Sequence, residues 1–141
     1  MSDYIPVDLK RRIRQQFNEI CAYCQTAEYL TVTTFEIEHI VPLSAGGKTL
    51  LDNLCLACPS CNRHKASRQT AINPKTGKQE NLFNPQTQQW KDHFQWNENG
   101  TEIIGITPEG KATISALKMN RPQLIRVRRM WVTLGEHPPK I

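Results

Sequence analysis

Two Cys-x-x-Cys units, Cys21/Cys24 and Cys58/Cys61, constrain this chain more than any other feature. Each unit turns two thiolates toward one point, and two units together supply the four-sulfur tetrahedral cage that zinc prefers. Residues 25–57 lie between them, more than the roughly 15–20 residues that separate the pairs of a compact four-cysteine ribbon. A substantial unit must therefore fold between the two turns. A disulfide or redox pair is the alternative use of the same residues. The sequence has no secretory signal and no leading apolar segment that would direct it to an oxidising compartment, so the expectation is structural zinc in a soluble, cytoplasmic protein. Cys55, the fifth cysteine, lies in the apolar run LCLAC and is expected to be a buried thiol without a metal.

A zinc ion with four cysteine ligands is closed to substrate, so catalysis must use other groups. Between the pairs, FEIEHI alternates apolar Phe35, Ile37 and Ile40 with polar Glu36, Glu38 and His39, imperfectly but in the manner of a half-buried strand. Pro42 and the stretch SAGGK break it into a loop, and NLCLA reads as the returning strand. Pro59 and Ser60 open a helix expected to continue through CNRHKASRQTA. Strand, long loop, strand, helix is the expected local architecture.

With CAYC, EIEHIVP, the glycine pair, Asn53 and CPSCNRHK in that order, roughly residues 17–70 resemble the HNH endonuclease family in its zinc-stapled form. The resemblance implies an α+β fold with a ββα-metal core. Carried over by position, it implies that Glu38 and Asn62 hold a catalytic divalent ion, magnesium or manganese, and that His39 is the general base. Asn53 would be the middle letter of the motif, bracing the loop so that the histidine faces the substrate. This chain departs from many relatives in having Glu38 where they have aspartate; the extra methylene changes reach but keeps an oxygen ligand. Glu36 shares a strand face with Glu38 by period-two alternation, as a solvated residue or an aid to the metal. His64, two residues beyond Asn62, projects to a different helix face, although some relatives place a histidine ligand on this helix.

The chemistry explains these residue types. In-line attack by water on a phosphodiester needs a group that removes a proton, and histidine does so at physiological pH. It also needs positive charge on the phosphate and leaving oxygen, which a hard cation held by few protein oxygens supplies while keeping open positions. The bland alternative is a zinc-knuckle nucleic-acid binding module in which His39 and Glu38 are structural and nothing is cut.

Composition bears on the partner. The chain has 18 Lys+Arg against 13 Asp+Glu, a net charge of +5, and the excess is unevenly placed. In VDLKRRIRQQF, Leu9, Ile13 and Phe17 repeat on one helix face while Lys10, Arg11, Arg12 and Arg14 fall largely off it. Arg63, Lys65 and Arg68 follow the second cysteine pair, with Lys65 or Arg63 expected to clamp a phosphate. Lys111, Lys118, Arg121, Arg126, Arg128 and Arg129 occupy an acid-free stretch. DNA is the expected partner, through phosphate contacts that position without reading sequence. RNA remains open, because no element that reads a 2′-hydroxyl is recognisable.

The length suits one domain with a satellite. Residues 1–71 are expected to hold a basic helix and the nuclease core, 72–81 a polar loop or linker, and 82–141 a C-terminal extension packed on the core. In the extension, Phe83, Trp90, Phe94 and Trp96 are expected to pack, and His93 to be structural. TEIIGITPEGKATI reads as two short strands around a Thr-Pro-Glu-Gly turn, and a last helix runs from Asn120 as cap, through Pro122, to about Leu134.

Overall fold

The computed structural model describes residues 4–140. Helix α1 (Val7–Gln16) follows Pro6, with Asp8 in its first turn and Arg14 in its last, the charge order that complements the helix dipole. Ile13 is fully buried and Leu9 and Phe17 pack beside it, so the four-residue repeat is a core face.

Strand β1 (Glu36–His39) pairs antiparallel with β2 (Leu54–Ala57), Glu36 opposite Ala57 and His39 opposite Leu54. Strand β2 is buried along its whole length, packed against both α1 and α2, which is why LCLA is continuously apolar while β1 alternates. Helix α2 (Pro59–Lys65) starts at Cys58, whose sulfur accepts from the Cys61 N–H at 3.3 Å, and has Pro59 in its first turn. Strand, loop, strand, helix is thus the observed order, but the helix stops at Lys65, where Ala66 turns to φ 50°, instead of running on through the following residues.

Between β1 and β2 the chain turns through Gly46, in the left-handed region at φ 89°, and Gly47. A Cβ on Gly47 would lie 1.8 Å from the Val41 carbonyl oxygen, so only glycine fits.

Residues 72–81, expected as a loop or linker, belong to a hairpin. Strand β3 (Thr70–Ile72) pairs with β4 (Gln79–Asn81), Thr70 opposite Asn81, around a turn in which Asn73 accepts from Gly77 N–H at 2.8 Å and, through Oδ1, from Lys75 N–H at 3.0 Å.

The extension contains α3 (Trp90–His93), β5 (Phe94–Trp96), β6 (Ile103–Gly105), α4 (Pro108–Leu117) and α5 (Pro122–Thr133). Strand β6 pairs with β5. The expected second strand after Thr-Pro-Glu-Gly is instead helix α4: Thr107 Oγ1 accepts from Gly110 N–H at 3.0 Å, with Pro108 and Glu109 in the first turn. Gly110 allows the helix start to touch β5's approach, since a Cβ there would sit 2.2 Å from the His93 carbonyl oxygen. Arg121, not Asn120, precedes α5. The Asn120 amide instead grips both backbone groups of Ile103 at 2.8 Å.

Phe83 and Phe94 are buried edge to face at 5.2 Å, with Trp90 against Phe94 and Trp96 against Trp90, the packing role expected of them. Arg128, expected at the basic surface, is completely buried. Its Nη1 donates to Thr101 O at 3.0 Å and Asn120 Oδ1 at 3.1 Å, its Nη2 to Met119 O at 2.7 Å, and its guanidinium lies 5.1 Å from the Trp96 ring centre. Several bonds tie the extension to the core, among them Trp90 Nε1 to Tyr23 O at 2.8 Å and Gln86 Nε2 to Leu54 O at 2.8 Å and to Leu51 O at 3.1 Å. Among the described residues no helix is long and apolar enough to cross a membrane.

Candidate active site

The first cysteine turn is built by backbone. Ile20 bridges Ala27, Cys21 N–H donates to Thr26 O at 2.9 Å, and Ala22 N–H donates to Leu56 O at 2.8 Å, pinning the turn to β2. Gln25 closes it in the left-handed region at φ 62°. The sulfurs of Cys21, Cys24, Cys58 and Cys61 are all buried and lie within 4.8 Å of one another. Cys24 Sγ and Cys58 Sγ are 3.8 Å apart, the edge of a tetrahedron with metal–sulfur bonds of about 2.3 Å and far beyond a disulfide bond of about 2.05 Å. Burial raises the Cys21 thiol, while hydrogen bonds from Cys21, Cys58 and Cys61 lower Cys24. Four sulfurs this close, one already favoured as thiolate, fit a divalent cation, and the four cysteines are placed to hold zinc.

Beside this staple, β1 presents two faces. On one, Glu36 and Glu38 meet α2. The spacing matches: residues 62 and 65 stand one turn apart on the helix, above alternate residues of the strand. Asn62 Nδ2 donates to Glu36 Oε1 at 2.5 Å at the surface. One turn deeper, Lys65 Nζ sits 3.0 Å from Glu38 Oε1 and donates to Ile40 O at 2.9 Å. Both side chains are almost fully buried, and Cys55 Sγ donates to Glu38 Oε2 at 3.2 Å. Desolvation raises the Glu38 carboxyl, opposed by the Lys65 charge; burial and the Glu38 charge raise the Cys55 thiol. Lys65, expected to clamp phosphate, is therefore turned inward. Glu38 faces Lys65, and Asn62 faces Glu36.

On the other face, half-buried His39 ends the strand with Nε2 2.9 Å from Thr49 Oγ1. Asn53 fastens the intervening loop: its Oδ1 accepts from Val41 N–H at 2.9 Å and its Nδ2 donates to Val41 O and Lys48 O, each at 3.0 Å. Backbone adds to this, with Ile40 N–H donating to Asn53 O at 2.9 Å. The loop that carries Thr49 to His39 is thus held at both ends by one amide.

Residues 21–68 match the HNH endonuclease family. The matched HNH domain takes in both cysteine pairs, β1, β2 and α2, and ends before the β3–β4 hairpin and the extension. Its family is one of nucleases that act on nucleic acid with divalent metals. No curated protein matches the chain.

The basic residues expected to touch nucleic acid divide by environment. Arg63 and Arg68 of the HNH domain are exposed. Arg11 pairs with Asp8 at 3.1 Å, and Arg14 pairs with Glu28 and, at 3.5 Å, with Glu19. His64 Nδ1 donates to Ser60 O at 2.8 Å along the helix. Sequence reasoning missed Thr49 as the partner of His39, and Tyr23, whose hydroxyl lies 3.7 Å from Cys55 Sγ and hydrogen-bonds Glu38, as a member of the Glu38 cluster. A strand-facing lysine one turn after Asn62 was the signal for the buried ion pair.

Proposed function

We propose that this chain is an endonuclease that hydrolyses DNA phosphodiester bonds, with water activated by His39. The observation that carries this is the His39–Thr49 contact beneath a loop fastened by Asn53, all within the HNH domain. A half-buried imidazole at a strand end, oriented by a hydroxyl, accepts a proton from water at neutral pH. Asn53 positions it by locking Val41 and Lys48. Lys65 positions it from the other side by holding the carbonyl of Ile40, the next residue.

A magnesium or manganese ion, held by Asn62 with Glu38, would neutralise charge on the phosphate and the leaving oxygen. Taking that role requires Glu38 to exchange Lys65 for the ion. The Glu36–Asn62 contact favours a second reading, in which Glu36 supplies the carboxylate without disturbing the buried pair.

The test is incubation of metal-stripped, zinc-retaining protein with supercoiled plasmid, with and without magnesium or manganese, beside His39→Ala, Glu36→Gln and Glu38→Gln. Relaxed or linear product that needs both the ion and His39 supports the endonuclease. The carboxylate whose loss shifts the metal requirement, with folding intact, is the ligand. DNA binding without cleavage would replace the enzyme by a binding module, and cutting confined to a matched RNA would change the substrate.

A further inference from the structure

We propose that the groove between α2, the β3–β4 hairpin and α4 binds a backbone phosphate of the nucleic acid, with Arg68 and Lys118 as its cations. This rests on the reading of the HNH domain as acting on nucleic acid and gives the extension a direct share in substrate binding. The groove has a volume of about 490 Å³ and is lined by His64, Arg68, Thr70, Gln79, Ser115 and Lys118 among others. One cation comes from just past the HNH helix and the other from the extension.

Three observations converge. No carboxylate lines the groove. Glu80, beside Gln79 on β4, alternates to the opposite face, and no acidic residue occurs from Gly110 to Gly135. Among the described residues, neither Arg68 nor Lys118 has a side-chain ion pair or hydrogen bond, in contrast to Arg11, Arg14, Lys65 and Arg128. Lys118 also stands at the end of α4 in the left-handed region, φ 51° and ψ 49°, where glycine or asparagine is the unstrained choice. A long cation kept at a strained position, with no partner in the fold, points to a partner outside it. The hydroxyls of Ser115 and Thr70 add neutral donors of the kind that contact phosphate oxygens.

Cations at helix C-termini also complement the helix dipole, so the experiment must read something that dipole pairing would not move. The zinc-loaded His39→Ala chain of all 141 residues is titrated against a fluorescent DNA duplex over a range of salt concentrations, with added Arg68→Ala or Lys118→Gly and with exposed Lys91→Ala as control. Each groove variant is expected to weaken binding at low salt and to reduce the slope of log K against log salt by about 1. Lys118→Gly should also melt at a higher temperature than its parent, because the backbone strain is relieved, so its weaker binding is not loss of fold. Slopes equal to that of Lys91→Ala overturn the phosphate site while leaving the nuclease reading intact. A parent chain that binds no DNA duplex removes both.

Discussion

The HNH domain and the extension each bury one cation at their centre, and they do so by opposite means. Lys65 is answered by a formal charge, the Glu38 carboxylate at 3.0 Å, plus the carbonyls of Ile40 at 2.9 Å and His39 at 3.5 Å. Arg128 is answered by no carboxylate: two backbone carbonyls, the Asn120 amide and the face of Trp96 surround it. The side chains suit the difference. An ammonium is a point charge that one carboxylate can satisfy, whereas a planar guanidinium with five donors can join separate backbone segments. A pair of opposite charges is exchangeable, since another cation can compete for the carboxylate. A cation held by carbonyls is not, because carbonyls have no alternative role. The exchangeable arrangement lies on the strand that carries His39, and the fixed one joins backbone segments at the centre of the extension.

The comparison breaks most severely at the zinc staple. Cys58→Ser should lose the metal and unfold the HNH domain, since binding of structural zinc is itself folding free energy, about 10–16 kcal/mol in finger peptides. Zinc stoichiometry with a circular-dichroism melt reads this, and an unchanged melting curve would refute the staple. Next come the two cations. Lys65→Met should cost about 3–5 kcal/mol by stranding the Glu38 charge, and adding Glu38→Gln should recover much of it. Arg128→Met should cost about 1–3 kcal/mol for each carbonyl left unpaired, with no single second change able to restore them. Urea unfolding of the three variants measures both, and a double variant no better than Lys65→Met would contradict the exchangeable pair.

The smallest effect is acid sensitivity of the extension. His137 is packed against Trp96 and Trp131 near Arg128; burial, then the Arg128 charge, lowers its pKa from 6.5 to about 4. Below pH 6.5 the unfolded chain takes up a proton that the fold refuses, so stability falls until about pH 4, below which both states are protonated. His137→Phe should flatten this part of a stability–pH curve; an unaltered slope would mean that His137 does not titrate differently in the fold.

The elements that were legible in the sequence are those whose pattern had one solution. The paired cysteines, the Leu9–Ile13–Phe17 face and the LCLA run admit few placements, and each lies where its chemistry predicts. The Thr-Pro-Glu-Gly stretch admits two, a turn or a capped helix start, and the choice depended on Gly110 fitting against a carbonyl distant in sequence. Strands β3 and β4, each Thr70–Ile72 or Gln79–Asn81 in extent, are too short and polar to show alternation. Lys65 and Arg128 read as surface residues because periodicity scores a long cation as polar, whatever it meets. For Lys65 the answer lay across the gap, in the carboxylate of Glu38.

All four metal-facing sulfurs belong to residues 21–61, well ahead of the Trp90 and Gln86 side chains that later lean on them. During synthesis, which delivers the N-terminal part first, the cation can be captured while the extension is still being made. Assembly would then run in one direction, with a closed metal knot serving as the template on which the aromatic half of the chain condenses.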